Sequence, residues 1–204
     1  MPTANVFSQH IYQVKITLLQ VKPPIWRRLL IPGDMTMAQF HNVIQAAMGW
    51  TNSHLHEFQI GEQRVGVPDP EDSFMGGSRC ANEKTVRFAE ALGALGARGH
   101  YTYDFGDGWE HSLIVEKALS AEPAGVYPLC TAGKRNCPPE DCGGPYGYSN
   151  LLDVIADAEH PEHEGLLEWL GGGFNAEEFS VAEVNMRLAP LQKRRARAAA
   201  KASS

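Results

Sequence analysis

Asp104, Asp107, Glu110 and His111, four side chains that can take or give a proton, crowd into one short stretch. Carboxylates beside an imidazole suit general acid–base work or the holding of a hard cation. The plainer alternative is that Asp107, set between Gly106 and Gly108, only shapes a turn. A softer group follows. Cys130, Cys137 and Cys142 lie in one Pro- and Gly-rich segment, where thiolates closing around Zn²⁺ would replace the packing such a segment lacks. They do not have the C-x-x-C spacing, so buried free thiols are the alternative. His54 and His56 stand two apart. In extended chain both rings share a face and could present two nitrogens to one metal. Either one, joined to the three thiols, would complete a closed Cys₃His site, and zinc is the cofactor that pattern implies. Otherwise one imidazole is packed and the other sits at a strand end.

Other signals carry less chemistry. Asp104-Phe105-Gly106 echoes a kinase triplet without the Gly-rich loop, strand lysine or catalytic loop that would go with it. Gly171-Gly172-Gly173 has no strand before it and no P-loop lysine, and reads as a helix end and turn. His160 and His163, among Glu159, Glu162 and Glu164, read as a solvated helix start with Pro161 in its first turn. Trp26, Trp50, Trp109 and Trp169 read as core or pocket-lining residues.

The elements that must position these groups are legible in outline. Tyr12, Val14, Ile16 and Leu18 alternate as one face of a strand over Ile11 to Val21, and Pro23-Pro24 separates it from a second extended run, Ile25 to Ile31. Thr36 with Gln39 predicts a capping box, followed by an apolar face of Met37, Phe40, Val43, Ile44, Ala47 and Met48 and a stop at Gly49. Leu55 to Ile60 and the run around Val65 predict a strand pair. An acidic loop from Gly66 to about Cys80 and a short helix over Phe88 to Leu95 come next. Gly106-Asp107-Gly108 predicts a hairpin joining His100–Phe105 to Trp109–Ala118. With Asp107-Gly108 as a two-residue loop, Asp104 would face His111 across the strands. Leu119 to Tyr148 is expected to be irregular, then helical segments over 149–157 and 161–170 and one opened by Ser180 with Glu183. Strands first and helices later predict an α+β fold: an antiparallel sheet with packed helices and a long Cys/Gly/Pro-rich loop, in a single domain over 11–191 with terminal extensions at 1–10 and 192–204.

Composition bounds the function. The chain has 204 residues, 43% hydrophobic and 21% charged, enough for one sizeable core. Its net charge of −6 repels phosphate backbones on average, so nucleic-acid binding would rest on the local run Lys193, Arg194, Arg195, Arg197 and Lys201, read here as a frayed helical extension. No apolar run reaches membrane-span length and the first residues lack an export pattern, which predicts a cytoplasmic protein with reduced thiols and no membrane partner.

Two strings resemble a known family: Tyr103-Asp104-Phe105-Gly106-Asp107-Gly108-Trp109-Glu110-His111, and Cys137-Pro138-Pro139-Glu140-Asp141-Cys142-Gly143-Gly144-Pro145-Tyr146-Gly147-Tyr148. Together with Pro24-Ile25-Trp26-Arg27-Arg28, Gly49-Trp50, His54-Leu55-His56-Glu57-Phe58, His160-Pro161-Glu162-His163 and Trp169-Leu170-Gly171-Gly172, they make the chain similar to the plasmid pRiA ORF-three-like family over roughly Ile11 to Leu191. The resemblance implies a small bacterial α+β protein of a kind sometimes carried by plasmids or insertion elements. Some members are labelled TnpR-like resolvases, yet this sequence has neither a nucleophilic Ser among arginines nor a basic DNA-binding module.

No complete set of nucleophile, base and orienting group can be assembled from the sequence. The leading expectation is therefore a non-enzymatic binding or interaction module with a structural metal site, its partner a protein or other ligand. Two rivals stand beside it. One is a metal-dependent hydrolase built on His54, His56, Asp104, Asp107 and His111. The other is a DNA-associated accessory protein of a mobile element.

Overall fold

The computed structural model describes residues 10–68 and 80–202. Most of the acidic loop expected between Gly66 and Cys80, and nearly all of the expected N-terminal extension, lie outside the described residues. The strands are β1 (His10–Leu18), β2 (Trp26–Pro32), β3 (His56–Ile60), β4 (Gln63–Gly66), β5 (Ala81–Asn82), β6 (Arg98–Tyr103), β7 (Trp109–Ser120) and β8 (Leu129–Lys134). They form one sheet in the order β5-β4-β3-β6-β7-β1-β2-β8, antiparallel except for the short β4–β5 pair. The helices are α1 (Met37–Met48), α2 (Phe88–Leu92), α3 (Gly144–Ala156), α4 (His163–Trp169) and α5 (Val181–Ala202). The fold is α+β, as the order of elements in the sequence predicts.

The central strand β1 buries Tyr12, Val14, Ile16 and Leu18, the alternation that marks a strand with one face on a core. Helix α1 starts where Thr36 accepts from the Gln39 amide while the Gln39 side chain accepts from the Thr36 amide. It ends at Gly49, whose φ of 97° is the left-handed conformation that glycine adopts most easily. The apolar stripe between those caps lies on the sheet. Phe40 stacks on Phe58 at 5.7 Å and meets Phe88 edge-on at 5.0 Å, each fully buried and each contributing about 1.5–3 kcal/mol by leaving water.

Three expectations are corrected. The 104–108 connection is five residues, not two: Tyr103 pairs with Trp109 and Tyr101 with His111, so Asp104 does not face His111. The stretch 119–148 is not irregular throughout, since it contains β8 and the first turn of α3. The residues after Gln192 are the helical extension expected, but its first turn is docked rather than frayed. Helix α5 continues to Ala202, with Gln192 donating to the Pro128 carbonyl and Arg195 paired to Asp34 at 2.5 Å.

The outer edge of β8 is capped at Cys130 by a side chain. Asn185 on α5 accepts from the Cys130 amide at 2.8 Å and donates to the Cys130 carbonyl at 2.9 Å, taking both backbone groups that this residue would offer an adjacent strand.

Candidate metal centre

Three loops meet beside the ends of β3 and β6. The first, 50–55, links α1 to β3 and carries His54. The second is the hairpin tip, 104–108. The third, 136–143, links β8 to α3. Their backbones are bound to each other through side chains. Trp50 Nε1 donates to the Pro138 carbonyl at 3.0 Å, and the Thr51 amide donates to Glu140 at 2.9 Å. The hydroxyls of Thr51 and Tyr103 also donate to the Glu140 carboxylate, and the Ser53 amide donates to the Tyr103 oxygen at 2.9 Å. Burial works to raise the Glu140 pKa, but the hydrogen bonds from Thr51 and Tyr103 outweigh it and hold the carboxyl below its usual range. Tyr103 is pushed upward, by burial and by the same carboxylate. Glu140 is thus an anion that fastens two loops together.

His54, Asp104 and Asp141 converge at this junction. Each can offer a ligand atom such that all three lie within 4.8 Å of one another, and no other group of three or more His, Cys, Asp or Glu does so among the described residues. His54 Nδ1 stands 3.6 Å from Asp104 Oδ2, and Nε2 stands 3.1 Å from Asp141 Oδ1. One cation takes only one of the two ring nitrogens, and bonds of about 2.0–2.2 Å put neighbouring ligand atoms roughly 3–4 Å apart, so the three groups, within 4.8 Å of one another, have to draw together by about an ångström to form a coordination shell.

The local backbone aims the carboxylates. Asp104 has φ 57° and its Oδ1 accepts from the amides of Gly106 and Asp107, leaving Oδ2 turned toward His54. Asp141, at φ 59°, and Asn52, at φ 61°, are also left-handed, so three of the five non-glycine residues with positive φ among those described surround this junction. Asp and Asn are the side chains that tolerate that conformation. The Asp104 side chain is 11% exposed and the Asp141 side chain 69%, so the group is closed on one side and open on the other. His54 Nε2 is shielded from solvent and, although close to Asp141, is out of line for a hydrogen bond with it.

One glycine permits the convergence. A Cβ on Gly144 would lie 2.2 Å from the Asp107 carbonyl oxygen, and the residue has φ 69°. The Gly143 amide donates to the Asp107 carboxylate alongside, at 3.2 Å. Gly144→Ala is expected to destabilise the chain by about 2–3 kcal/mol, because backbone must move away from backbone at a left-handed position. A thermal melt indistinguishable from that of the parent chain would contradict this.

The other residues picked from the sequence go elsewhere. His54 lies in a bend before β3 rather than in the strand, so the two-residue period does not hold and His56 diverges from it. His56 pairs with Glu83 at 2.6 Å and stacks on His41 at 3.4 Å between ring centroids. His41 Nε2 is 2.5 Å from the side-chain oxygen Oδ1 of Asn52, which can only accept, so Nε2 carries the proton and Nδ1 accepts from the Tyr101 hydroxyl at 2.8 Å. His111 is fully buried beneath Trp50, with Nδ1 donating to the Tyr101 carbonyl at 3.2 Å. Glu110 faces out and accepts from Gln20. Asp107 supports Gly143. Cys130, Cys137 and Cys142 are free thiols, and they do not form a ligand group with His54 or His56. Burial pushes Cys137 and Cys142 up to about 12, and Cys130 upward, which keeps all three protonated at neutral pH in this packing. Sequence reasoning missed Asp141 and Glu140; the available signal was an Asp in a Pro- and Gly-flanked turn, where left-handed backbone is common.

The profile of the plasmid pRiA4b ORF-3-like proteins matches residues 10–183. The chain belongs to that family. An uncharacterised protein, y4hQ of Sinorhizobium fredii (strain NBRC 101917 / NGR234), is 36% identical over 191 residues, 93% of this chain and 96% of that protein. The crystal structure of a protein of unknown function, MM3350 from Methanosarcina mazei Go1, matches with a TM-score of 0.77 at 35% identity, covering 86% of this chain and 96% of that one. All three residues of the candidate centre fall inside the pRiA4b ORF-3-like span, which ends in the first turn of α5. Among the described residues, no helix is long and apolar enough to cross a membrane.

Proposed function

We propose that this protein binds a divalent cation through His54, Asp104 and Asp141 and uses it to hold a ligand bearing an oxygen donor. The observations that carry this reading are the convergence of three ligand groups and the shielded Nε2 of His54, which makes no hydrogen bond. One nitrogen and two carboxylate oxygens suit a borderline cation such as Zn²⁺ or Mn²⁺, and three protein ligands leave positions open. Beyond the exposed Asp141 lies a cleft of about 500 Å³, walled by Leu151, Leu166 and Trp169, large enough for the body of a small ligand.

Titration of the purified, metal-stripped chain with Zn²⁺ and with Mn²⁺ tests this. One equivalent is expected to bind, and His54→Ala or Asp104→Asn is expected to weaken binding roughly a hundredfold. Binding that survives both substitutions but disappears with Cys137→Ser would place the cation among the thiols instead, and no binding at all would end the proposal.

The openness of the group favours one further reading, hydrolysis. Water at a free position of such a cation becomes acidic and supplies hydroxide near neutral pH. On that reading, metal-loaded protein hydrolyses an activated ester or phosphodiester and Asp141→Asn does not.

A further inference from the structure

Helix α5 brings two arginines, Arg194 and Arg195, to a surface that the candidate centre does not use. Leu191, Arg194, Arg195 and Ala198 follow the three-to-four-residue spacing of one helical face. With Met35 and Val43 on the opposite side they border a cavity of about 680 Å³, the volume of a small-molecule pocket. Arg87, at the start of α2, and the amide side chains of Gln39 and Asn42 complete its rim.

The charges in this cavity do not cancel. Arg195 pairs with Asp34 at 2.5 Å, which neutralises the one carboxylate on the wall. Arg87 spends one nitrogen on the Asp34 backbone carbonyl at 2.6 Å, leaving the rest of its guanidinium available. Among the described residues no carboxylate pairs with the side chain of Arg87 or Arg194. Two unmatched positive charges thus share one cavity in a chain whose net charge is −6. Guanidinium forks match phosphate oxygens in geometry, and a phosphate monoester carries about 1.5–2 negative charges at neutral pH, which balances two arginines.

We infer that the cavity between α1 and α5 binds a small phosphate monoester with an apolar body, the phosphate held by Arg87 and Arg194 and the body lying against Met35, Val43 and Leu191. A phosphodiester backbone fits less well, because it offers one charge per phosphate and no apolar group for that wall. This site is independent of the cation centre.

Calorimetric titration of the full chain with phenyl phosphate, with inorganic phosphate and with a short single-stranded oligonucleotide tests the inference. Phenyl phosphate is expected to saturate one site and to bind roughly tenfold more tightly than inorganic phosphate, since only it buries a ring. Arg194→Gln, on an exposed side chain that can change without unfolding the chain, is expected to weaken that binding about tenfold. Lys193→Gln, one position around the helix, is expected to leave it unchanged. Arg87→Ala should weaken it likewise, with its folding checked by circular dichroism. Equal affinity for the two phosphates, equal losses in the Lys193 and Arg194 variants, binding of the oligonucleotide alone, or no saturable binding would each overturn the assignment.

Discussion

Acidification from pH 7 to pH 4.5 is expected to remove several kcal/mol of folding stability, most of it lost above pH 5, where most carboxylates are still ionised. His41 and His111 are the cause. Burial lowers each to about 4 from an ordinary 6.5; for His41 the neighbouring His56 adds to the effect, and for His111 hydrogen bonds to backbone offset part of it. Between those values the unfolded chain takes up protons that the folded chain refuses, so stability is complete above about pH 6.5 and falls as pH approaches 4. A shift of that size corresponds to about 3 kcal/mol for each ring. Glu83, Glu116 and Glu140 are held below their usual range, so what they contribute is lost only at lower pH. Denaturant midpoints at pH 7, 6 and 5 would report the effect. His111→Leu should roughly halve the slope. A midpoint that stays constant from pH 7 to pH 5 would show that these rings take protons without unfolding the chain.

Replacing Arg27 with leucine is expected to destabilise the chain by roughly 4 kcal/mol, the largest loss foreseen for one substitution, because three carbonyl acceptors lose a charged donor at once. The guanidinium is 2% exposed and has no carboxylate partner among the described residues. Its Nε donates to the Ala47 carbonyl at 3.0 Å, and one terminal nitrogen donates to Trp26 and Lys134 carbonyls at 3.0 and 3.1 Å. Its other face lies 4.6 Å from the centre of the Phe179 ring. Ala47 lies in the last turn of α1, where a cation also complements the helix dipole. One side chain therefore joins α1, β2, β8 and the segment before α5. Arg27→Lys should recover little, since an ammonium lacks the planar fork that reaches several carbonyls together. Chemical denaturation at neutral pH measures both variants; a loss below about 1 kcal/mol for the leucine variant would show that water replaces the guanidinium there.

How far the sequence foretold these features depends on how local the signal is. The capping box at Thr36, the stop at Gly49 and the alternation in β1 are written within a few residues and appear as read. Strand β8 escaped notice because Cys, Gly and Lys break its pattern and only Cys130 in it is fully buried. The hairpin was recognisable, but its register depended on Asp104 adopting a left-handed turn with its own side chain as acceptor, which Gly-Asp-Gly alone does not specify. The candidate centre was half legible. His54 and Asp104 stood out by type, whereas Asp141 joins them only because Glu140 and Gly144 draw a distant loop against the hairpin. Such a meeting is a property of tertiary packing, which spacing along the chain does not encode.

The amide of Asn185 at the rim of β8 has a consequence for how copies of this protein behave toward each other. A bare strand margin invites extended segments of other molecules to add on, the first step toward swapped dimers and fibrils. Here a side chain already occupies the pairing groups of Cys130, so crowding in solution finds a poorer template for polymerisation.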